Sequence, residues 1–170
     1  MIVITLIMRN IVVLFLVLFS FQSFAQCDIK SKVQADDSML YFIKSATFYK
    51  TKQKLLKIGI VTDKENYFIA LQPIPFPLKK DNNIKDDLVI ELSDRNKYKL
   101  EHFDTRYIKH DSVMEVLYLI DKKDIKSFSS FEAINADVNI PGTEFKENYT
   151  FKLHKKAIMD QLNCFLKEEK

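Results

Sequence analysis

The residues of this chain whose types and spacing could do chemistry are His102 and Asp104, in the segment HFD, and His110 a few positions later. If the segment is a strand, His102 and Asp104 share one face, because side chains two residues apart point the same way. Two imidazoles and a carboxylate are ligands that zinc accepts, and together they could also serve a hydrolase whose site is assembled from distant residues. Surface histidines explain the same pattern. The three residues therefore remain candidates, and the sequence predicts no metal and no cofactor.

The two cysteines, Cys27 and Cys164, allow several fates. A lipid on Cys27 would need a small residue directly before it, and Gln26 is a poor fit. An even number of cysteines in an exported chain favours a bridge. On a helical projection of the C-terminal segment, Cys164 lies away from the apolar stripe, where an exposed free thiol would be a liability. We predict a Cys27–Cys164 disulfide, with unpaired thiols and a lipidated Cys27 as the alternatives.

The N-terminal segment has the pattern of a secretory signal peptide. Arg9 is its single charge, an apolar run follows, and small residues precede a cleavage point after Ala25. The pattern predicts a signal peptide over residues 1–25 and one mature domain over 26–170, in the periplasm or secreted. The apolar residues upstream of Arg9 leave an uncleaved anchor as the alternative.

Composition excludes several classes of protein. Without Arg9, the chain keeps 25 of its 26 basic residues against 23 acidic ones, in no basic block, so nucleic acid is not a predicted partner. Only Gly59 and Gly142 are glycines, too few for phosphate-binding loops or a dinucleotide fingerprint. No nucleophile elbow is present. These absences favour a protein that binds rather than catalyses.

The elements that must position these residues are mostly strands. Alternating apolar residues predict two hairpins, one over residues 55–73 and one over 86–104, the latter ending in the HFD segment. The run SVMEVLYLI, broken only by Glu115, predicts a central strand buried on most of both faces. The segment SMLYFIKSATFYK fits a strand better than a helix, and the spaced prolines of QPIPFPLKKDNN predict a surface crossing rather than a central strand.

The last third of the chain adds two helices and two strands. Asp121 is expected to cap a short helix in which Asp124 is the third residue, and an amphipathic helix is expected from about Lys155 to Lys167. Two further strands should point their apolar residues inward, and these are Ile134, Ala136, Val138 and Ile140, and then Tyr149, Phe151 and Leu153. The fold class is thus α+β and mainly β: a largely antiparallel sandwich or partly open barrel with one short helix and a C-terminal amphipathic helix.

The stretch MRNIVVLFLVLFSFQSFAQ resembles the export signals of Bacteroidota, and the Lys-, Asn-, Ile- and Phe-rich, Gly-poor composition is similar to that of small exported proteins of that group with no assigned function. The resemblance implies export and no catalytic residue. Asp37-Ser38-Met39 and Asp111-Ser112-Val113 resemble the short O-glycosylation sequon of the same group, which makes Ser38 and Ser112 candidate glycosylation sites.

Taken together, these observations predict an exported, non-enzymatic binding or structural domain of the cell envelope, whose target is a protein or an envelope component that the sequence does not name. A small carrier of apolar ligands with a barrel-like pocket is the second hypothesis, and the hydrolase is the third. A wide pocket would favour the carrier, and a cleft holding His102, Asp104 and His110 would favour the hydrolase. Oligomeric state is not predicted.

Overall fold

A computed structural model describes residues 27–34, 37–79, 84–141 and 145–168. The expected signal peptide, residues 1–25, lies outside the described residues. Within them the chain forms antiparallel strands and two helices, which confirms the expected fold class. The strands are β1 (Lys30–Val33), β2 (Met39–Phe42), β3 (Ala46–Lys50), β4 (Leu55–Thr62), β5 (Tyr67–Ile74), β6 (Leu88–Leu92), β7 (Lys97–Leu100), β8 (His102–Ile108), β9 (Val113–Ile120), β10 (Ala133–Asn139) and β11 (Lys146–Thr150), and the helices are α1 (Ile125–Phe128) and α2 (Ala157–Glu168).

The strands build two sheets. The seven-stranded sheet has the order β1-β2-β4-β5-β9-β8, with β3 also paired to β4, and it curls into a half-barrel. The four-stranded sheet has the order β11-β10-β6-β7. Both predicted hairpins are present, as β4–β5 and β6–β7. The chain then passes from the second sheet back to the first at Glu101, so that the HFD segment begins β8 instead of ending a hairpin.

The main core lies between the two sheets and helix α2. The expected alternation holds in β4, where Leu56, Ile58 and Ile60 are buried against this core. Helix α2 adds the stripe of Ile158, Leu162 and Phe165. Burying one such aliphatic or aromatic side chain contributes about 1.5–3 kcal/mol, so the alternation alone decides which face of each strand turns inward.

The segment expected to be one strand is two, and both pair with the same edge of β4. β2 pairs with Thr62 and Val61, whereas β3 pairs with residues 55–58, so the chain crosses between them beside Gly59. A Cβ atom on Gly59 would lie 2.7 Å from Ser45 Oγ. The glycine therefore permits the crossing chain to pass close to β4.

Two local expectations are wrong. A register irregularity between Ala133 and Asn135 removes Ile134 from the buried face, which Ala133, Ala136 and Val138 form instead. Leu153 is 44% exposed because β11 ends at Thr150. A bulge shifts the two-residue period and the end of a strand stops it, and neither event is visible in the pattern of apolar residues.

The prolines and the short helix also differ from expectation. Pro73 is buried within β5 and pairs with Leu56; it is tolerated at the strand's end, where the pairing of β5 with β9 has already stopped at Leu71. Helix α1 begins at Ile125 with Asp124 as its N-cap residue. Asp121 instead starts the preceding turn, where its carbonyl accepts from the N–H of Asp124 at 2.8 Å.

Candidate functional site

The structure separates the candidate metal and hydrolase residues. A register irregularity follows His102, so His102 lies opposite Tyr118 and Asp104 lies opposite Leu117. Tyr118 and Leu117 are successive residues with opposite faces, so the expected shared face of His102 and Asp104 is wrong. His110 lies in the turn beyond the other end of β8. The six residue steps of β8 alone span about 20 Å, which is too far for one metal to bridge.

His102 makes its contacts at the junction of the two sheets. Its Nε2 lies 2.9 Å from Thr105 Oγ1, and its ring meets the edge of Tyr118 with centroids 6.0 Å apart. Burial lowers the pKa of His102, although the nearby Asp104 and Asp87 act in the opposite direction. Across the described residues, no group of three or more His, Cys, Asp and Glu side chains is arranged to hold a metal ion.

The predicted disulfide is present. Cys27, just before β1, is bonded to Cys164 in α2 across 137 positions of the sequence. Such a bond fits an extracellular or periplasmic location, because cytosolic proteins rarely keep one. In the part of the chain that the structure describes, neither helix has the length and apolar character needed to cross a bilayer.

The candidate glycosylation residues are both exposed. Ser38 lies just before β2, and Ser112 lies in the turn between β8 and β9, where its Oγ donates to the Lys109 carbonyl at 2.7 Å. Exposure is a requirement for modification, so Ser38 and Ser112 stay predictions.

The concave face of the half-barrel carries three cross-strand rows of side chains. The first row is polar: Lys57 faces Gln72, and Glu115 faces Arg106. The second row is Gly59, Ala70, Leu117 and Asp104. The third row is apolar and consists of Phe42, Val61, Phe68 and Leu119, with Lys30 beside Phe42 on β1. One end of the concave face is therefore polar, and the other end is apolar in its middle strands with Lys30 and Lys32 at its β1 edge.

A cavity of about 480 Å³ lies in this concave face. Both edge strands line it, β1 through Lys30 and Lys32 and β8 through Arg106 and Ile108, so the sheet curls around the cavity. The remaining lining residues come from the loop ends and the middle strands, and they are Gln34, Leu40, Phe42, Ile43, Lys44, Ser45, Lys57, Val61, Gln72, Lys109 and Glu115. Its apolar lining residues Leu40, Phe42 and Val61 also belong to the separate apolar cluster of this face, with Phe68, Ala70 and Leu117.

Glu115 is the centre of the polar row. Its side chain is 6% exposed, and its Oε1 accepts hydrogen bonds from Arg106 Nε at 2.8 Å and Nη2 at 2.6 Å. Its Oε2 accepts from Gln72 Nε2 at 2.6 Å. A buried carboxylate needs such partners, because leaving it unpaired costs several kcal/mol. The row therefore holds Arg106 in a fixed position at the wall of the cavity.

Sequence reasoning missed this site, although it noted one of its members. Glu115 stood out as the only charge in an apolar run, and a buried charge implies a partner, but nothing in the sequence named Arg106 or Gln72. Nothing in the sequence indicated that the cavity lysines belong to a site, because lysines next to apolar residues in a strand are also typical of a solvent-exposed face. Comparisons with models of protein families, with curated proteins and with solved structures gave no match to this chain.

Proposed function

We propose that this protein is an exported, non-enzymatic binding domain of the cell envelope, and that its curled sheet holds a small amphiphilic molecule in the concave face. This combines the first two hypotheses from the sequence: the domain binds rather than catalyses, and its target is a small molecule with an apolar part. The Cys27–Cys164 bond and the pattern of residues 1–25 support export.

The observation that carries the proposal is the cavity in the half-barrel. Its volume of about 480 Å³ lies within the range of small-molecule sites, roughly 300–1,000 Å³. Such sites combine an apolar lining with a few placed polar groups. Here Leu40, Phe42 and Val61 supply the apolar lining, and the polar row that contains Glu115 and Arg106 supplies fixed polar groups at one end.

The arrangement does not favour the hydrolase hypothesis. His102 faces the junction of the sheets, Asp104 faces the opposite side of β8, and His110 lies in a turn. A general acid–base pair must reach one reacting group, and side chains on opposite faces of a strand do not.

The test is a titration of the oxidised mature chain, residues 26–170, with the neutral fluorescent probe N-phenyl-1-naphthylamine. We expect saturable fluorescence enhancement and its loss when dodecan-1-ol is added. Leu40→Glu should weaken the binding of the probe at least about tenfold, because a charge then stands in the apolar lining. The matched control is Leu153→Glu, at an exposed leucine that does not line the cavity.

Far-UV circular dichroism and a urea melt establish that both variants fold. Equal binding of the probe by the folded Leu40→Glu and Leu153→Glu variants would contradict a site in the concave face. The absence of any saturable signal from the wild-type chain would contradict an apolar ligand.

A further inference from the structure

We infer that the ligand ends in an oxyanion, a carboxylate or a phosphate, held between Lys57 and Arg106, with its apolar chain toward Leu40, Phe42 and Val61. This inference rests on the proposed function and specifies its ligand. The occupant is a single-chain anionic amphiphile. Three features of the cavity support it: the sign of its charge, the absence of a salt bridge at four of its five lysines, and the geometry of Arg106.

The charge of the cavity differs from that of the rest of the chain. Its lining includes six cationic side chains and one carboxylate, a formal surplus of five, namely Lys30, Lys32, Lys44, Lys57, Lys109 and Arg106 against Glu115. The whole chain has a net charge of only +3, so all its other residues together carry a formal charge of −2. Concave surfaces of one sign focus the electrostatic potential and raise the local concentration of opposite charge. The cavity therefore favours anions over neutral or cationic molecules of similar shape.

Four of the five lysines that line the cavity form no salt bridge with a described carboxylate. Lys30 lies 3.2 Å from Asp28, whereas no carboxylate among the described residues forms a salt bridge with Lys32, Lys44, Lys57 or Lys109. Their ammonium groups can therefore bind an incoming anion without first breaking an ion pair.

Arg106 is positioned but only partly used. Its Nε and Nη2 both donate to one oxygen of Glu115, and the described residues give its Nη1 no acceptor. A guanidinium carries five N–H donors in a planar fork, so the side that includes Nη1 can bind a second oxyanion. Glu115 is then a positioning residue: it fixes the guanidinium plane and leaves the ligand to the free side.

The two ends of the site are separated by a fixed distance. Lys57 in the polar row and Val61 in the apolar row are four residues apart on β4. At about 3.3 Å per residue this is roughly 13 Å. A molecule lying along β4 with its anion beside Lys57 therefore needs an extended apolar chain to reach the third row. A small polar anion such as free phosphate can contact only the polar row and leaves the apolar row without a ligand.

The experiment compares four molecules with the same dodecyl chain, below the concentrations at which they form micelles, as competitors of N-phenyl-1-naphthylamine. Dodecanoate and dodecyl phosphate should displace the probe at concentrations about tenfold lower than dodecan-1-ol, the factor that one charge-assisted hydrogen bond provides. Dodecyltrimethylammonium should be the weakest. Added salt should reduce the advantage of the anions. The ratio between dodecanoate and dodecyl phosphate distinguishes a carboxylate from a phosphate end group.

Variants locate the binding of the anion. Lys57→Gln should weaken both anions about tenfold and leave dodecan-1-ol unchanged. The matched control Lys52→Gln lies in the exposed turn between β3 and β4, outside the cavity, and should leave all four unchanged. Arg106→Gln alone would leave Glu115 unpaired and could unfold the protein. The double variant Arg106→Gln with Glu115→Gln removes both charges and should again weaken only the anions.

The results separate this inference from the proposed function. If dodecan-1-ol competes as well as dodecanoate with the wild-type protein, the oxyanion site is overturned while the apolar site stands. If Lys52→Gln weakens the anions as much as Lys57→Gln does, general surface charge accounts for the preference, and the inference is equally overturned. If none of the four dodecyl compounds displaces the probe, the proposed function itself fails.

Discussion

Gln161 offers the sharpest test of how this fold is held together. It is a buried glutamine in helix α2, and its two side-chain atoms bond to backbone groups more than 100 positions away. Its Oε1 accepts from the Ile60 N–H at 2.8 Å, and its Nε2 donates to the Lys44 carbonyl at 3.1 Å. Lys44 lies between β2 and β3, and Ile60 lies in the part of β4 that neither of these strands pairs with. The side chain thus replaces the backbone partner that a continuous strand would have provided.

Gln161→Leu keeps a similar volume and removes both bonds. The Ile60 side chain is fully buried and its N–H lies within β4, whereas Lys44 is exposed and its carbonyl can turn to water. A buried donor without a partner costs about 1–3 kcal/mol, so the free energy of unfolding should fall by about that amount. Gln53→Leu is the matched control, because Gln53 is exposed and lies outside the strands. It should change the free energy by less than about 0.5 kcal/mol.

The assay is urea unfolding of the oxidised mature chain, combined with hydrogen exchange of single amides by NMR. In Gln161→Leu the Ile60 amide should lose protection selectively, while the Ile69 amide on the neighbouring strand keeps it. If the urea midpoint and the Ile60 protection of Gln161→Leu equal those of Gln53→Leu, the side chain does not stabilise the strand break and this reasoning is refuted.

Three further predictions concern the bridge, the histidine and the close crossing. Replacing Cys27 and Cys164 with Ala opens a loop of 137 positions and should lower the free energy of unfolding by up to about 5 kcal/mol in the chain-entropy model, as measured by urea unfolding against the oxidised wild type. Because burial lowers the pKa of His102, the unfolded chain binds a proton on this imidazole more tightly than the folded chain does. The free energy of unfolding should therefore decrease as the pH falls through 6.5, and His102→Gln should flatten the pH profile of the melting temperature. An unchanged slope in His102→Gln would contradict this prediction. Gly59→Ala should lower the free energy of unfolding by about 1–3 kcal/mol, because the new Cβ would lie 2.7 Å from Ser45 Oγ. Adding Ser45→Gly to the same chain should restore part of this free energy. If the losses of the two substitutions simply add in the double variant, the clash with Ser45 is not their cause.

Much of the fold could be predicted from local patterns. Period-two alternation located the β4–β5 and β6–β7 hairpins, and the apolar run around Glu115 identified β9 as a central strand. These predictions succeed because burial of alternate side chains is decided within each strand. They fail where one residue shifts the period, at the irregularities after His102 and after Ala133. A bulge is stabilised by its neighbours across the sheet, which the local pattern does not contain.

The sequence by itself determined the mainly β class, the amphipathic C-terminal helix and the pairing of Cys27 with Cys164, because helical period, strand period and an even thiol count are local or compositional properties. The tertiary structure alone decided the cavity. Arg106 meets Glu115 because β8 and β9 pair in one register, and Lys30 and Arg106 line the same cavity because the sheet between their strands curls. Curl and register come from the summed twist and packing of many strands, and no single segment of sequence encodes either one.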